Sequence, residues 1–248
     1  MNYSDSIDLI ERLASLDSDN QTDSEEAILW DSDPKKGILY GTNKEGEKIL
    51  DFRVPITFPT LPTREDEQRT LCLSDYSEQL PFLPKPYLLI LIQAGAASLG
   101  YFEEGELIYH KVITAYMVRK KQGKAQIKHL NSKGKSRLGS RIRLQNTVWF
   151  FEQINLKLKE WHKKSAIFDK VERIGQSGSP DLWHLLYTSK EEAPFQKNDS
   201  RLRKIPLTVH TPNFEELQRI NSWVNHGKIT TYKDNLPFLN NLGDVIEW

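Results

Sequence analysis

The sequence predicts an α/β (α+β) protein in which a mixed β-sheet is flanked by helices, a long basic loop leaves the sheet, and a small extension precedes it. Three observations carry that expectation. Short apolar runs bounded by Gly, Pro and turn residues recur from Tyr87 onward. Two longer stretches repeat apolar residues at helical spacing. The first eighty-odd residues are acidic at the start and proline-punctuated later. The chain is thereby divided into an N-terminal extension with a β-hairpin subdomain (1–86), a main domain (87–228) and a C-terminal tail (229–248).

Each element has a local reason. Ser6 to Leu16 is weakly amphipathic and predicts a helix; the polar run DSDNQTDSEEA after it, 17–27, is expected to be mobile. GILYGTNKEGEKILDF places two short apolar strands around the Asn43–Gly46 turn. VPITFPTLPTREDEQ has too many prolines for a helix interior or a central strand. YLLILIQ, from Tyr87, is short and wholly apolar up to its Gln and reads as a buried strand. Two further strands are expected around the Glu103–Gly105 turn. Ser140 is a candidate cap for a helix with Leu144, Val148, Phe151, Leu158 and Trp161 on its apolar face. LWHLLYTS and KIPLTVH are expected as strands, and NFEELQRINSWV as a helix capped by Asn213 that buries Leu217, Ile220 and Val224.

Composition narrows the function classes. With 248 residues, 38% apolar and 27% charged, the chain suits one or two soluble domains. A single cysteine, Cys72, excludes an internal disulfide and a cysteine-rich zinc site and favours a reducing, cytoplasmic setting. No run is long enough to span a bilayer, and the N-terminus lacks the order of a signal peptide, so no membrane association is expected. The formal charge of zero hides a segregation. Asp5, Asp8, Glu11, Asp17, Asp19, Asp23, Glu25 and Glu26 face only Arg12 in the first thirty residues. Between 119 and 143 the balance is reversed: Arg119, Lys120, Lys121, Lys124, Lys128, Lys133, Lys135, Arg137, Arg141 and Arg143 occur with no Asp or Glu. A local field of one sign attracts a polyanion whatever the distant charge, and such a segment can neutralise several phosphates of RNA.

Familiar catalytic patterns are missing. Gly134–Ser136 reads GKS, but a phosphate loop needs a glycine where this chain has His129, and a strand where it has a basic coil. His110, His129, His162, His184, His210 and His226 form no pair at metal spacing around a carboxylate, so neither metal nor cofactor is expected; His110 and His184 read as strand residues in core or edge positions. No serine sits in a G-x-S-x-G elbow. The basic loop remains. Gly123 permits a sharp turn and close backbone approach to a ligand. Gln126 cannot titrate, but its amide can position a water and its backbone N–H can face an oxyanion. Read on composition alone, Gln126 is also simply one polar residue among many.

HKVITAYMVRKKQGKAQ, from His110 to Gln126, resembles the core motif of the release-factor-like domain in the ankyrin-repeat and zinc-finger peptidyl-tRNA hydrolases of ribosome quality control. The matching positions are His110, Lys111, Tyr116, Arg119, Lys121, Gly123, Ala125 and Gln126. DSRLRKIPLTVHTPNFEELQRI, from Asp199, resembles a second block of the family, and the likeness runs from about Pro84 to His226. The resemblance implies a fold like the middle domain of the eukaryotic class I release factor, with Gln126 as counterpart of its essential glutamine and Gly123 beside it. The loop reads Gly-Lys-Ala-Gln here rather than Gly-Gly-Gln, which leaves less backbone freedom beside Gln126.

The family implies hydrolysis of the peptidyl-tRNA ester of stalled chains, or cutting of the tRNA near its CCA end. A non-catalytic ribosome- or RNA-binding factor is the third reading. The partners implied are the large ribosomal subunit at its peptidyl-transferase centre, peptidyl-tRNA and ribosomal RNA. A stand-alone bacterial member acting as a monomer is expected.

Overall fold

The computed structural model describes residues 1–19, 28–62, 72–117 and 138–232. They form two compact units: Met1–Pro84 together with the described residues from Ser222 on, and Lys85–Asn221. The stretch 20–27, most of the segment expected to be mobile, lies outside the described residues.

In the first unit, helix α1 (Tyr3–Asp19) starts at a reciprocal cap: Asp5 N donates to Asn2 Oδ1 at 2.9 Å and Asn2 N to Asp5 Oδ2 at 3.3 Å. The expected hairpin forms from β2 (Ile38–Thr42) and β3 (Lys48–Arg53). Strand β1 (Leu29–Asp33) adds to one side and β9 (Lys228–Thr231) to the other, giving an antiparallel sheet ordered β1-β2-β3-β9. The region expected as a C-terminal tail therefore begins inside a strand, with Phe52 opposite Ile229. Leu9, Ile10 and Leu13 of α1 pack with Trp30, Leu39, Leu50 and Phe52 of the sheet, and the short helix α2 (Leu73–Ser77) adds Leu73 and Tyr76. The unit thus has its own apolar core.

In the second unit, β4 (Tyr87–Gln93), β5 (Ala96–Glu103) and β6 (Glu106–Thr114) make a meander. Glu104 and Gly105 both adopt positive φ between the paired residues Glu103 and Glu106, as a two-residue primed hairpin turn requires. Strands β7 (Arg173–Ser177) and β8 (Leu202–Lys204) extend the sheet on the other side of β4, and both of those pairings are parallel. The sheet is mixed, ordered β6-β5-β4-β7-β8, with the wholly apolar stretch of β4 buried at its centre. Helix α3 (Leu138–Ser165) and the one-turn α4 (Ile167–Lys170) cross from β6 to β7, and α5 (Pro180–Tyr187) crosses from β7 to β8. One sheet face, Leu88, Ile90, Ile92, Leu99 and Tyr101, packs with residues of α3 and α5. The other receives α6 (Phe214–Val224), whose Leu217 sits so close that a Cβ at Gly100 would lie 2.9 Å from it.

Three sequence expectations give way here. LWHLLYTS is mostly helix α5, because Pro180 at the first position and apolar Leu182, Trp183 and Leu186 bury one helical face; His184 is therefore a helix residue and exposed. KIPLTVH contributes only Lys204 to a strand. Ile205 N still donates to Gln176 O at 2.9 Å before Pro206 ends the ladder. Helix α3 begins before Ser140 and is rotated from the expected face: Phe150, Phe151, Ile154, Leu158 and Trp161 are buried, whereas Leu144 and Val148 are each 47% exposed. The inward positions of its early turns hold Arg143 and Thr147 instead, with Thr147 Oγ1 donating to Arg143 O at 2.8 Å.

Candidate functional site

Gly123, Ala125 and Gln126 lie outside the described residues, as do Arg119, Lys120, Lys121, Lys124, Lys128, Lys133, Lys135 and Arg137. The structure describes the two anchors of that segment. On the incoming side β6 ends at Thr114, and Ala115 N donates to Gly95 O at 2.9 Å. Gly95 packs so tightly there that a Cβ would stand 2.5 Å from Ala115 O. Met117 is buried and Tyr116 is exposed. On the outgoing side, α3 carries Asn146, whose Nδ2 donates to Tyr116 O at 3.0 Å. The last turns before the segment and the first turns after it are thus tied by one side-chain bond. Asn146 is a residue that sequence reasoning missed, because a single polar residue on a helix gives no signal of what it reaches.

The remaining motif residues do separate jobs. His110 lies four residues before the end of β6, about 13 Å along the strand from where the chain leaves it. Its exposed ring stands 4.8 Å from that of Phe214 at the start of α6. Neighbouring Tyr109 points to the opposite face, stacks on Trp161 at 5.7 Å and shares a 2.7 Å hydrogen bond with Ser165. Lys111 is exposed. Of the predicted basic set, Arg141 and Arg143 are described, both on α3: Arg141 is exposed and Arg143 is buried.

The second motif block holds two closed ion pairs among the described residues. Arg201 grips Asp199 through Nε and Nη2, at 3.0 and 2.8 Å, and donates through Nη1 to Phe168 O at 2.6 Å. Arg219 binds both oxygens of Glu216 at 2.8 Å and reaches Thr208 O at 3.0 Å, while His210 N donates to Glu216 Oε1 at 2.8 Å. The Arg219 guanidinium, with help from that backbone N–H, holds the Glu216 carboxyl down at about 2. Glu216 N donates to Asn213 Oδ1 at 2.7 Å, the expected cap. Arg201 fastens the start of the 199–213 segment to the end of α4, and Arg219 fastens Thr208 to α6. Among the described residues no three His, Cys, Asp or Glu side chains gather to hold a metal, and no helix is long and apolar enough to cross a membrane.

A family profile described as "Bacteroidetes VLRF1 release factor" matches residues 87–232, more than half of the chain. The chain belongs to that family. The chain is 28% identical over 144 residues to the tRNA endonuclease ANKZF1 of Mus musculus, a match that covers 55% of the chain and 18% of that protein. It is 27% identical over 192 residues to the tRNA endonuclease ANKZF1 of Bos taurus, covering 72% and 25%. The chain therefore spans a quarter or less of the length of these curated relatives. It also aligns with a solved structure titled "Vms1 mitochondrial localization core" at TM-score 0.47 and 13% identity, over 79% of this chain and 77% of that one.

Proposed function

We propose that this protein is a ribosome-associated rescue factor that hydrolyses the peptidyl-tRNA ester of stalled nascent chains through Gln126. The observation that carries the reading is Arg119-x-Lys121-x-Gly123-x-Ala125-Gln126, which lies inside a release-factor family match and follows a strand whose end is anchored on both sides. The cations of 119–137, joined by exposed Arg141, pair with phosphates of ribosomal RNA and tRNA as the segment enters the peptidyl-transferase centre of the large subunit. Buried Arg143 is left out of that set. The amide of Gln126 orients a water against the ester carbonyl. Water adds to the carbonyl carbon, the bond to the ribose oxygen breaks, and a proton passes to that oxygen through the adjacent ribose hydroxyl. Gly123 lets the backbone come close, and the factor works as a cytoplasmic monomer.

A second reading is favoured by the names of the relatives, tRNA endonucleases. In it a ribose hydroxyl of the tRNA attacks the adjacent phosphate and expels the next nucleotide's oxygen near the CCA end. One experiment decides between them: stalled ribosomes or isolated large subunits carrying labelled peptidyl-tRNA are incubated with the protein, and the tRNA product is sized on a gel. Freed peptide with full-length tRNA supports ester hydrolysis, and shortened tRNA supports the nuclease. Losing one preorganised donor costs about 3–4 kcal/mol of barrier, so Gln126→Ala should slow release about a hundredfold or more with ribosome association retained. Release at the wild-type rate would remove Gln126 from the mechanism.

A further inference from the structure

The parallel half of the second sheet carries a cavity that the motif at Gln126 does not involve. Its volume is about 260 Å³, and it is lined by Gln176, Gly178, Pro180, Trp183, His184, Tyr187, Lys197 and Lys204. Gln176 and Lys204 stand at or near the C-terminal ends of the parallel strands β7 and β8, and Pro180 begins the helix joining them. Ligands of open α/β sheets bind outside the carboxyl ends of their strands, the end at which this cavity lies, one strand over from the β4–β7 switch in strand order.

The lining is one-sided chemically. It offers two ammonium groups, an imidazole, an amide and a phenol, and no carboxylate. Lys197 and Lys204 are exposed, and neither is in an ion pair with a described residue. Asp199, whose charge Tyr187 feels, is held by two oxygens on Arg201 and so is largely neutralised. The Tyr187 hydroxyl is cut off from solvent and has no hydrogen-bond partner among the described residues. The floor is rigid: Gly178 has φ +125°, a Cβ there would stand 2.6 Å from Ile92 O, and Trp183 Nε1 donates to Ser177 O at 3.2 Å. Donors and positive charge around a preformed hollow, with acids absent, suit an oxygen-rich anion. The hollow exceeds the room that one inorganic ion fills.

Topology relates this hollow to the basic segment. Strand β6 is antiparallel to β5, and β5 to β4, so β6 runs parallel to β4, β7 and β8. The C-terminal end of β6, from which the chain continues to 118–137, is therefore at the same end of the sheet as Lys204 and Gln176. Four inter-strand spacings separate β6 from β8, about 19 Å.

We infer that this cavity is a phosphate-binding site, taking the phosphate of a ribonucleotide, in an RNA strand or free, between Lys197, Lys204 and the β7–α5 turn. The inference rests on the cavity itself and stands or falls independently of the role given to Gln126. The test is two-dimensional NMR of the full chain, following the Gly178 amide and the Trp183 indole N–H, the latter assigned with Trp183→Phe. Inorganic phosphate, 5′-AMP and a short single-stranded RNA are titrated against sodium chloride of equal ionic strength.

Saturable movement of both signals with phosphate and AMP is expected, with tighter binding if the natural source is an RNA strand. Saturation by AMP with no RNA effect assigns the site to a free nucleotide. The double variant Lys197→Gln/Lys204→Gln, which alters two exposed side chains, should keep the wild-type melting profile and lose about tenfold or more in affinity. Gln126→Ala should bind as the wild type does, whatever its release rate. Signals that do not move beyond the chloride control, or equal affinity in the double variant, would overturn the site.

Discussion

The two motif blocks of the second unit are both rich in cations and differ in the acids placed beside them. From Asp199 to Ile220 each arginine in a short-range ion pair has its carboxylate two or three residues away: Asp199 for Arg201, Glu216 for Arg219. Those charges are spent on the fold. From Arg119 to Arg143 the sequence supplies ten cations and no acid, so no partner of that kind exists within the segment. Counting Lys and Arg does not distinguish the two blocks, whereas the local supply of carboxylates does. A basic segment is offered to a ligand when its own neighbourhood leaves its charge unmatched.

The contrast can be broken from either side. The largest effect after the hundredfold loss expected for Gln126→Ala belongs to the acid-free block. Replacing Lys120, Lys121 and Lys124 together by Gln should weaken ribosome association about tenfold and reduce its salt slope by about 2, with the melting temperature unchanged. Co-sedimentation across a salt series measures both, and a loss of stability instead would mean that these charges serve the fold. Glu216→Ala should do the reverse. It strands Arg219 and the His210 N–H, costs about 2 kcal/mol in urea unfolding, and leaves the salt slope of ribosome association as it was.

Acid should sharpen the same distinction. Glu216 is held near 2 against an ordinary 4.5, so its contribution to stability is complete above the ordinary value and disappears as pH falls from there toward 2. Unfolding followed between pH 5 and 2 should show that loss, and Glu216→Gln should flatten the curve. The smallest effect is expected for Asn146→Ala, which removes the bond to Tyr116 O for about 1 kcal/mol. Its mark is a slower release rate at unchanged ribosome affinity. An unaltered rate would mean that the base of the segment needs no tie.

Much of the frame was legible in the sequence, for identifiable reasons. β4 reads as a buried strand because it is short, apolar and bracketed by Pro86 and Gly95. The Glu104–Gly105 and Asn43–Gly46 turns announce themselves by residue type, and Asn213 announces α6. α5 did not, because the short stretch LWHLLY, apolar apart from His184, fits a buried strand as well as a helix, and only the packing of Leu182, Trp183 and Leu186 decides. The face of α3 misled because Arg143 and Thr147, polar by type, take inward positions while Leu144 and Val148 stay half exposed. At the site, the motif ending in Gln126 was visible through resemblance. The Asn146 tie and the Lys197–Lys204 hollow depend on residues far apart in the chain, and no spacing rule brings them together.

The tie between Tyr116 and Asn146 fixes the two posts from which the chain departs and to which it returns. The chain leaves the sheet after Thr114 and is back in α3 eight residues before Asn146, about 12 Å along the helix. Closing a longer or shorter excursion between fixed posts changes the entropy by only about 0.6 kcal/mol per doubling of length. The number of residues between the posts can therefore change without renegotiating the platform that holds them.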